Sequence, residues 1–287
     1  MISVVVPAYN EEAVIERSLK HLTDGAPEGE LEVIVACNGC HDRTADLARA
    51  FGRSVKVVET KAASKVAAMN LGDLEATGFP RFYVDADVIM PWASIKALAD
   101  EMQRTGQPTG GPRLKMGLEH ASVGVRAFYA VWMRMSFHKA GMVGCGAYAL
   151  SEAGRGRFGE FPDLIADDGY VRSLFVDSER ALPPEGSGYV LVQSPATLGD
   201  LIKIKTRSRL GLAQLKRFAP DQTDRGLKKC RFFYKELLLR PWLWPAAVVY
   251  LYVNLRSRAR AARQLGSIES YEWERDDSAR QAAAAAN

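Results

Sequence analysis

The feature that most constrains this chain is the regular alternation of short strand-like runs with helical patterns through its first ninety residues. Ile2–Pro7, Leu31–Ala36, Val55–Glu59 and Arg81–Val84 are short runs rich in apolar and β-branched residues. Helical patterns separate them: Asn10–Leu22, with Asn10 as the expected cap and Glu11 and Glu12 in its first turn, then Thr44–Phe51 and Lys65–Glu75. This repetition predicts an α/β fold, a Rossmann-like, mostly parallel central sheet flanked by helices on both faces. Ligands on such sheets sit beyond the carboxyl ends of the strands. Three polar clusters fall there: Ala8-Tyr9-Asn10-Glu11, Asn38-Gly39-Cys40-His41-Asp42 and Asp85-Ala86-Asp87. Far apart in sequence, they are expected to converge on one sheet edge.

The middle of the chain is less regular. Ser122–His138 reads as a helix carrying Phe128, Tyr129, Trp132, Met133 and Phe137, followed by Gly141, Gly144 and Gly146. An acidic turn at Asp163–Asp168 then leads into Tyr170–Val176. Beyond Leu198 come a basic stretch, the apolar run Pro241–Leu255, an Arg-rich helix and an alanine tail, Ala282–Ala286. A boundary is expected near residue 215, with 216–287 as a basic, Trp-rich helical extension ending in a disordered tail. From Lys203 to Arg263 sixteen Lys and Arg stand against three acids, a local charge of +13 in a chain of net +4. Such a surface attracts phosphate, anionic lipid or nucleic acid. Met1-Ile2-Ser3 carries no basic leader before its apolar run, and four cysteines without a secretory pattern fit a reducing compartment. The expected location is the cytoplasm.

Asp85-Ala86-Asp87 is the sharpest chemical signal. Carboxylates two residues apart at a strand end project alike because side chains alternate with period two. Such a pair suits a hard divalent cation that also holds phosphate oxygens. Asp-x-Asp also arises in ordinary polar turns, so its placement beside the other clusters carries the weight. Cys37-Asn38-Gly39-Cys40 has redox spacing, but no second pair completes a zinc site. Gly144-Cys145-Gly146-Ala147 fails as a dinucleotide fingerprint for want of a third glycine. Asp167-Asp168 reads from the residues alone as a pair of acids capping a helix.

In order along the chain, Val4-Val5-Val6-Pro7-Ala8-Tyr9-Asn10-Glu11-Glu12, Asn38-Gly39-Cys40-His41-Asp42-Arg43-Thr44, Lys65-Val66-Ala67-Ala68-Met69-Asn70 and Asp85-Ala86-Asp87 resemble the four motifs of the family 2 glycosyltransferases, which have the GT-A fold. The resemblance is specific over residues 2–90 and looser to about 215. It implies a nucleotide-binding half at 1–90 and a sugar and acceptor half at 91–215. By the same resemblance Pro7, Ala8, Tyr9 and Glu11 line the base and ribose pocket, and Lys65 meets a phosphate. Asn38 stands where the family has an Asp for the uracil imide; an amide offers both a donor and an acceptor. Asp85 would hold the ribose or a metal-bound water, and Asp87 would ligate Mn²⁺ or Mg²⁺ on a UDP-like diphosphate. Asp168 takes the place of the family's general base, beside Asp167. Gly144 and Gly146 lie under the donor sugar, and Arg207 and Arg209 fall in the region of a basic diphosphate clamp, without the family's usual Gln-x-x-Arg-Trp form.

The implied reaction is inverting, metal-assisted transfer of a sugar from a UDP-linked donor to a hydroxyl acceptor, a small molecule or a lipid-linked one. Two rivals remain. A sugar-nucleotide nucleotidyltransferase would open with a glycine-rich basic loop, whereas Pro7–Glu12 has no glycine and two acids. A nucleic-acid or anionic-membrane binding module would rest on the basic C-terminus but leaves the strand-end clusters unexplained. Pro241–Leu255 is short for a membrane span. Its Trp and Tyr residues and the following arginines suit either a peripheral contact on the inner membrane face or a helix packed on the core.

Overall fold

The computed structural model describes residues 1–135, 144–220 and 239–266. β1 (Ile2–Ala8) is buried at every position, as an apolar run without alternation implies for a strand covered on both faces. It pairs in parallel with β2 (Leu31–Asn38) on one side and β4 (Arg81–Val84) on the other, and β2 pairs in parallel with β3 (Val55–Thr60). The seven-stranded order is β3-β2-β1-β4-β7-β5-β8. Here β7 (Ala147–Leu150) is antiparallel to both β4 and β5 (Thr109–Gly110), while β5 is parallel to β8 (Arg180–Ala181). A separate two-stranded sheet joins β6 (Arg113–Gly117) and β9 (Tyr189–Gln193).

The helices of the first half are α1 (Ile15–Thr23), α2 (Thr44–Arg49), α3 (Lys65–Glu75) and α4 (Trp92–Thr105). α3 and β4 occupy the spans expected from sequence, and β1 to β3 each extend one or two residues further. The expected start of α1 at an Asn10 cap is corrected. Asn10 adopts φ 52°, and its Oδ1 accepts from the His41 N–H at 2.8 Å. The Glu11 carbonyl accepts from Val14 and Ile15, so the chain makes a separate turn before the helix begins.

Two compact units emerge, each assembled from separate stretches. The first comprises Met1–Lys115, Gly141–Asp163 and Leu174–Val192, and holds the seven-stranded sheet and α6 (Glu152–Arg155). The second comprises Met116–Ala140, Leu164–Ser173 and Gln193–Asn287. Among the described residues its helices are α5 (Val123–Trp132), α7 (Asp167–Ser173), α8 (Leu198–Phe218) and α9 (Trp244–Gln264). Val125, Phe128 and Tyr129 of α5 pack with Leu201 of α8 and Val253 of α9 in its core. The boundary expected near 215 therefore falls inside a continuous helix. α5 ends at Trp132 rather than running to 138, and positions 136–138, like the tail, lie outside the described residues.

Candidate functional site

From β1 the chain steps outward to β2 and β3, then returns to place β4 on the opposite flank of β1. The loops leaving β1 and β4 thus diverge at a topological switch point, where open α/β sheets bind ligands.

The β1 and β2 loops are stitched into one structure. The Glu11 N–H donates to Thr44 Oγ1 at 2.7 Å, the Glu12 N–H to Asp42 Oδ2 at 3.1 Å, and the Arg43 N–H to Glu12 Oε2 at 3.2 Å. Asp42 Oδ1 also accepts from the Thr44 N–H at 3.0 Å, at the start of α2. Pro7, Ala8 and Glu11 are buried within this structure, while Tyr9 is 39% exposed beside them. Asn38 is buried at the end of β2.

Cys40 closes the same knot. Its Sγ accepts from the Asn10 N–H at 3.4 Å and donates to the Ala8 carbonyl at 3.3 Å. A hydrogen bond from Cys37 is the main cause that lowers the Cys40 thiol to about 7, while the same bond and burial push Cys37 up. Cys40 is part-exposed, whereas Cys37 and Cys145 are buried. Iodoacetamide at neutral pH is therefore expected to label Cys40 about tenfold or more faster than Cys37 or Cys145, because the thiolate is the nucleophile. Peptide mass mapping over time checks this; equal labelling of Cys40 and Cys37 would refute the assignment.

At the end of β4, Asp85–Val88 form a turn closed by the Val88 N–H on the Asp85 carbonyl at 3.3 Å. Strand alternation is therefore not what aligns the two carboxylates. Exposure alternates all the same: Asp85 and Asp87 are part-exposed, and Ala86 and Val88 are each 3% exposed. The Asp85 N–H donates to the Gly146 carbonyl at 2.8 Å. Gly146 has φ 79°, and a Cβ there would stand 2.6 Å from Val88 Cγ1, so only glycine lets this backbone lie against the turn. Gly144, at φ 111°, precedes it.

Lys65, the first residue of α3, places its Nζ 2.8 Å from Asp85 Oδ1. Arg17 of α1 is a further cation of the site: burial lowers its guanidinium and the Asp87 charge works against that. Arg17 carries no motif, so only the tertiary placement of α1 reveals it. Asn70, the other end of the Lys65 motif, does a different job. It donates to and accepts from the Phe161 backbone at 3.2 and 2.8 Å, pinning that segment. Hard oxygen donors at Asp85 and Asp87 fit Mg²⁺ or Mn²⁺. Among the described residues no group of three or more His, Cys, Asp or Glu is gathered for a metal. A cation here would take its other ligands from phosphate oxygens and water.

In the second unit, Asp167 and Asp168 open α7. Asp167 is buried, while Asp168 is part-exposed and accepts from the Gly169 N–H at 2.6 Å. α8 supports this turn. Gln214 Oε1 accepts from the Ile165 N–H at 2.8 Å, and a Cβ on Gly211 would lie 2.9 Å from Ala166 Cβ. A glycine within a long helix costs about 1 kcal/mol against alanine, and that is the signal by which Gly211 was findable. Arg207 and Arg209 lie on α8. Arg209, for which the resemblance implies a diphosphate role, donates its Nε and Nη2 to Ser257 Oγ and Asn254 Oδ1 at 2.9 and 2.6 Å, tying α8 to α9. Arg207 is part-exposed.

The mostly parallel sheet, its flanking helices and the loops at its switch point define a GT-A fold. Residues 3–119 match the family model of glycosyl transferase family 2. A dolichyl-phosphate beta-glucosyltransferase from Drosophila melanogaster is 29% identical over 157 residues, 48% of this chain and 47% of that protein. The chain spans less than half the length of the curated relatives it matches. Mannosyltransferase PcManGT from Pyrobaculum calidifontis, solved with GDP-Man and Mn²⁺, superposes with a TM-score of 0.59 at 23% identity, covering 99% of this chain and 85% of that one. S. aureus TarS 1–349 with UDP-GlcNAc gives 0.55 at 14% identity over 94% and 90%. At these identities the likeness is one of fold.

Proposed function

We propose that the chain is an inverting glycosyltransferase that moves a sugar from a UDP-linked donor to a hydroxyl acceptor, a small molecule or a lipid-linked one. The observation that carries this reading is the meeting, at the β1/β4 switch point, of the Asp85-Ala86-Asp87 turn, the Lys65 ammonium and the Gly146 carbonyl.

In this reading Tyr9 offers a ring to the base, Pro7, Ala8 and Glu11 shape the base and ribose pocket, and Asn38 presents donor and acceptor to the imide edge. Asp85 orients Lys65 toward the diphosphate while contacting the ribose, and Gly144 and Gly146 leave room for the sugar. Asp87 would hold Mn²⁺ or Mg²⁺, which when bound supplies charge that makes the diphosphate a better leaving group. Arg207 and Arg209 are the candidate cations for the diphosphate. Asp168 takes the acceptor hydroxyl proton as that oxygen attacks the anomeric carbon and the bond to the diphosphate breaks, so the configuration inverts. Asp167, being buried, positions Asp168.

The loop geometry speaks against a nucleotidyltransferase. The consecutive N–H groups of Asn10, Glu11 and Glu12 are directed to Cys40, Thr44 and Asp42, rather than forming the backbone cradle with which a glycine-rich loop holds phosphates. Calorimetric titration of UDP, GDP and dTDP, each with and without Mn²⁺, tests the proposal. Manganese-dependent UDP binding is expected. GDP binding in its place would reassign the base read by Asn38, and binding of none of the three would sink the transferase reading.

A further inference from the structure

α9 has two apolar faces, and its core uses one of them. Val253, Ser257 and Ala261 are buried at four-residue intervals, and Tyr250 stacks on Phe128 of α5 with centroids 5.2 Å apart. Trp244, Val248, Leu251, Tyr252 and Leu255 are 53%, 69%, 59%, 48% and 57% exposed. At about 100° per residue these two sets point to opposite sides of the helix. A helix lying on a globular core ordinarily carries polar residues on its outer face. We propose that this outer stripe seats the second unit on the interface of an anionic lipid bilayer, with α9 in the plane of the membrane.

Two observations select a bilayer. Trp244 and Tyr252 on the stripe, and Trp242 just ahead of it at 70% exposure, are residue types that settle at the headgroup boundary. In the last turns the outer face passes to Ala259 and Ala262, flanked by exposed Arg258 on one side and Arg256 and Arg263 on the other. The helix contains no Asp or Glu. Guanidiniums bordering an apolar stripe reach outward to lipid phosphates while their stems stay against the acyl region. Among the described residues no helix is long and apolar enough to cross a membrane, which agrees with an in-plane helix. The inference uses no part of the transferase reading, because its readout needs neither nucleotide nor acceptor.

The test is co-sedimentation of the full chain, without nucleotide, with phosphatidylcholine vesicles lacking or containing about one-third phosphatidylglycerol. Binding to the mixed vesicles is expected to be about tenfold or more tighter than to phosphatidylcholine alone. The triple variant Trp244→Ser, Leu251→Ser, Leu255→Ser should lose about tenfold or more of that affinity. Arg256→Gln, Arg258→Gln, Arg263→Gln should erase the preference for the anionic lipid. Quenching of Trp fluorescence by brominated lipid in the unaltered chain gives a reading independent of whether a variant folds. No binding to mixed vesicles, or binding that survives the serine variant, overturns the proposal. So does a dimer that the serine variant converts to monomer, which would assign the stripe to a second copy of the chain.

Discussion

Asp87→Ala is expected to abolish manganese-dependent nucleotide binding, whereas Asp168→Asn is expected to keep that binding and lower transfer by about 10²–10⁴. The two acids differ in surroundings. Asp87 lies part-exposed in the turn after β4, with Arg17 near enough to feel its charge. Its removal takes away a hard anionic oxygen from the β1/β4 switch point. Asp168 accepts a local bond from the Gly169 N–H. An asparagine carbonyl can accept that same bond, so α7 keeps its first turn while the side chain loses the ability to take a proton. The loss should therefore appear in kcat with KM little changed. Calorimetry with UDP and Mn²⁺, paired with a rate measurement of UDP release, separates the outcomes. Equal loss of binding in both variants would make Asp168 a structural residue.

The readable parts of this fold are those that local chemistry dictates. β1 is apolar at nearly every position and β4 follows a turn signal, so their spans emerge from composition and period. Lys65–Glu75 follows Ser64, whose side chain accepts from the Ala67 N–H, a local cap. The second half resisted for a physical reason: β5 and β8 are two residues long, too short for any period to show. Asn10 was misplaced because a cap and a left-handed turn favour the same residue. What settles the choice is a bond to His41, thirty-one positions away. Arg209 reads as one more surface cation until α9 supplies Ser257 and Asn254. The site's polar clusters were legible because strand ends place them, whereas Arg17 and Gln214 act through contacts that only tertiary structure creates.

Asp73→Ala should destabilise the protein by about 3–5 kcal/mol, the cost of leaving buried cations without their counter-charge. Asp73 of α3 is 11% exposed and binds Arg81 Nη1 at 2.6 Å and Arg155 Nη2 at 2.7 Å, with side chains 8% and 15% exposed. The Tyr83 hydroxyl donates to the same carboxylate. One side chain thus ties α3, β4 and α6 together. Arg81 Nη2 donates to the Ala76 carbonyl and Arg155 Nη1 to the Phe158 carbonyl, each at 2.8 Å, while Arg155 Nε adds a second bond to Asp73 at 2.9 Å and Arg81 Nε is buried without a hydrogen-bond partner among the described residues. Burial acts to raise the Asp73 carboxyl, but the bonds from Arg155, Tyr83 and Arg81 outweigh it and hold it below its ordinary value of 3.8. With the folded value below the unfolded one, the stabilisation is complete above the unfolded pKa and lost as pH falls through the folded one. Urea melts at neutral pH should show the full deficit of Asp73→Ala, and the deficit should shrink in acid as the wild-type carboxylate takes up its proton. A deficit unchanged between neutral pH and acid would mean that the lost packing of the side chain, rather than its charge, holds α3 against β4. Because α3 begins at Lys65 and β4 ends before Asp85, the same variant is expected to loosen the Lys65–Asp85 pair. Nucleotide affinity should fall with it even where the protein remains folded.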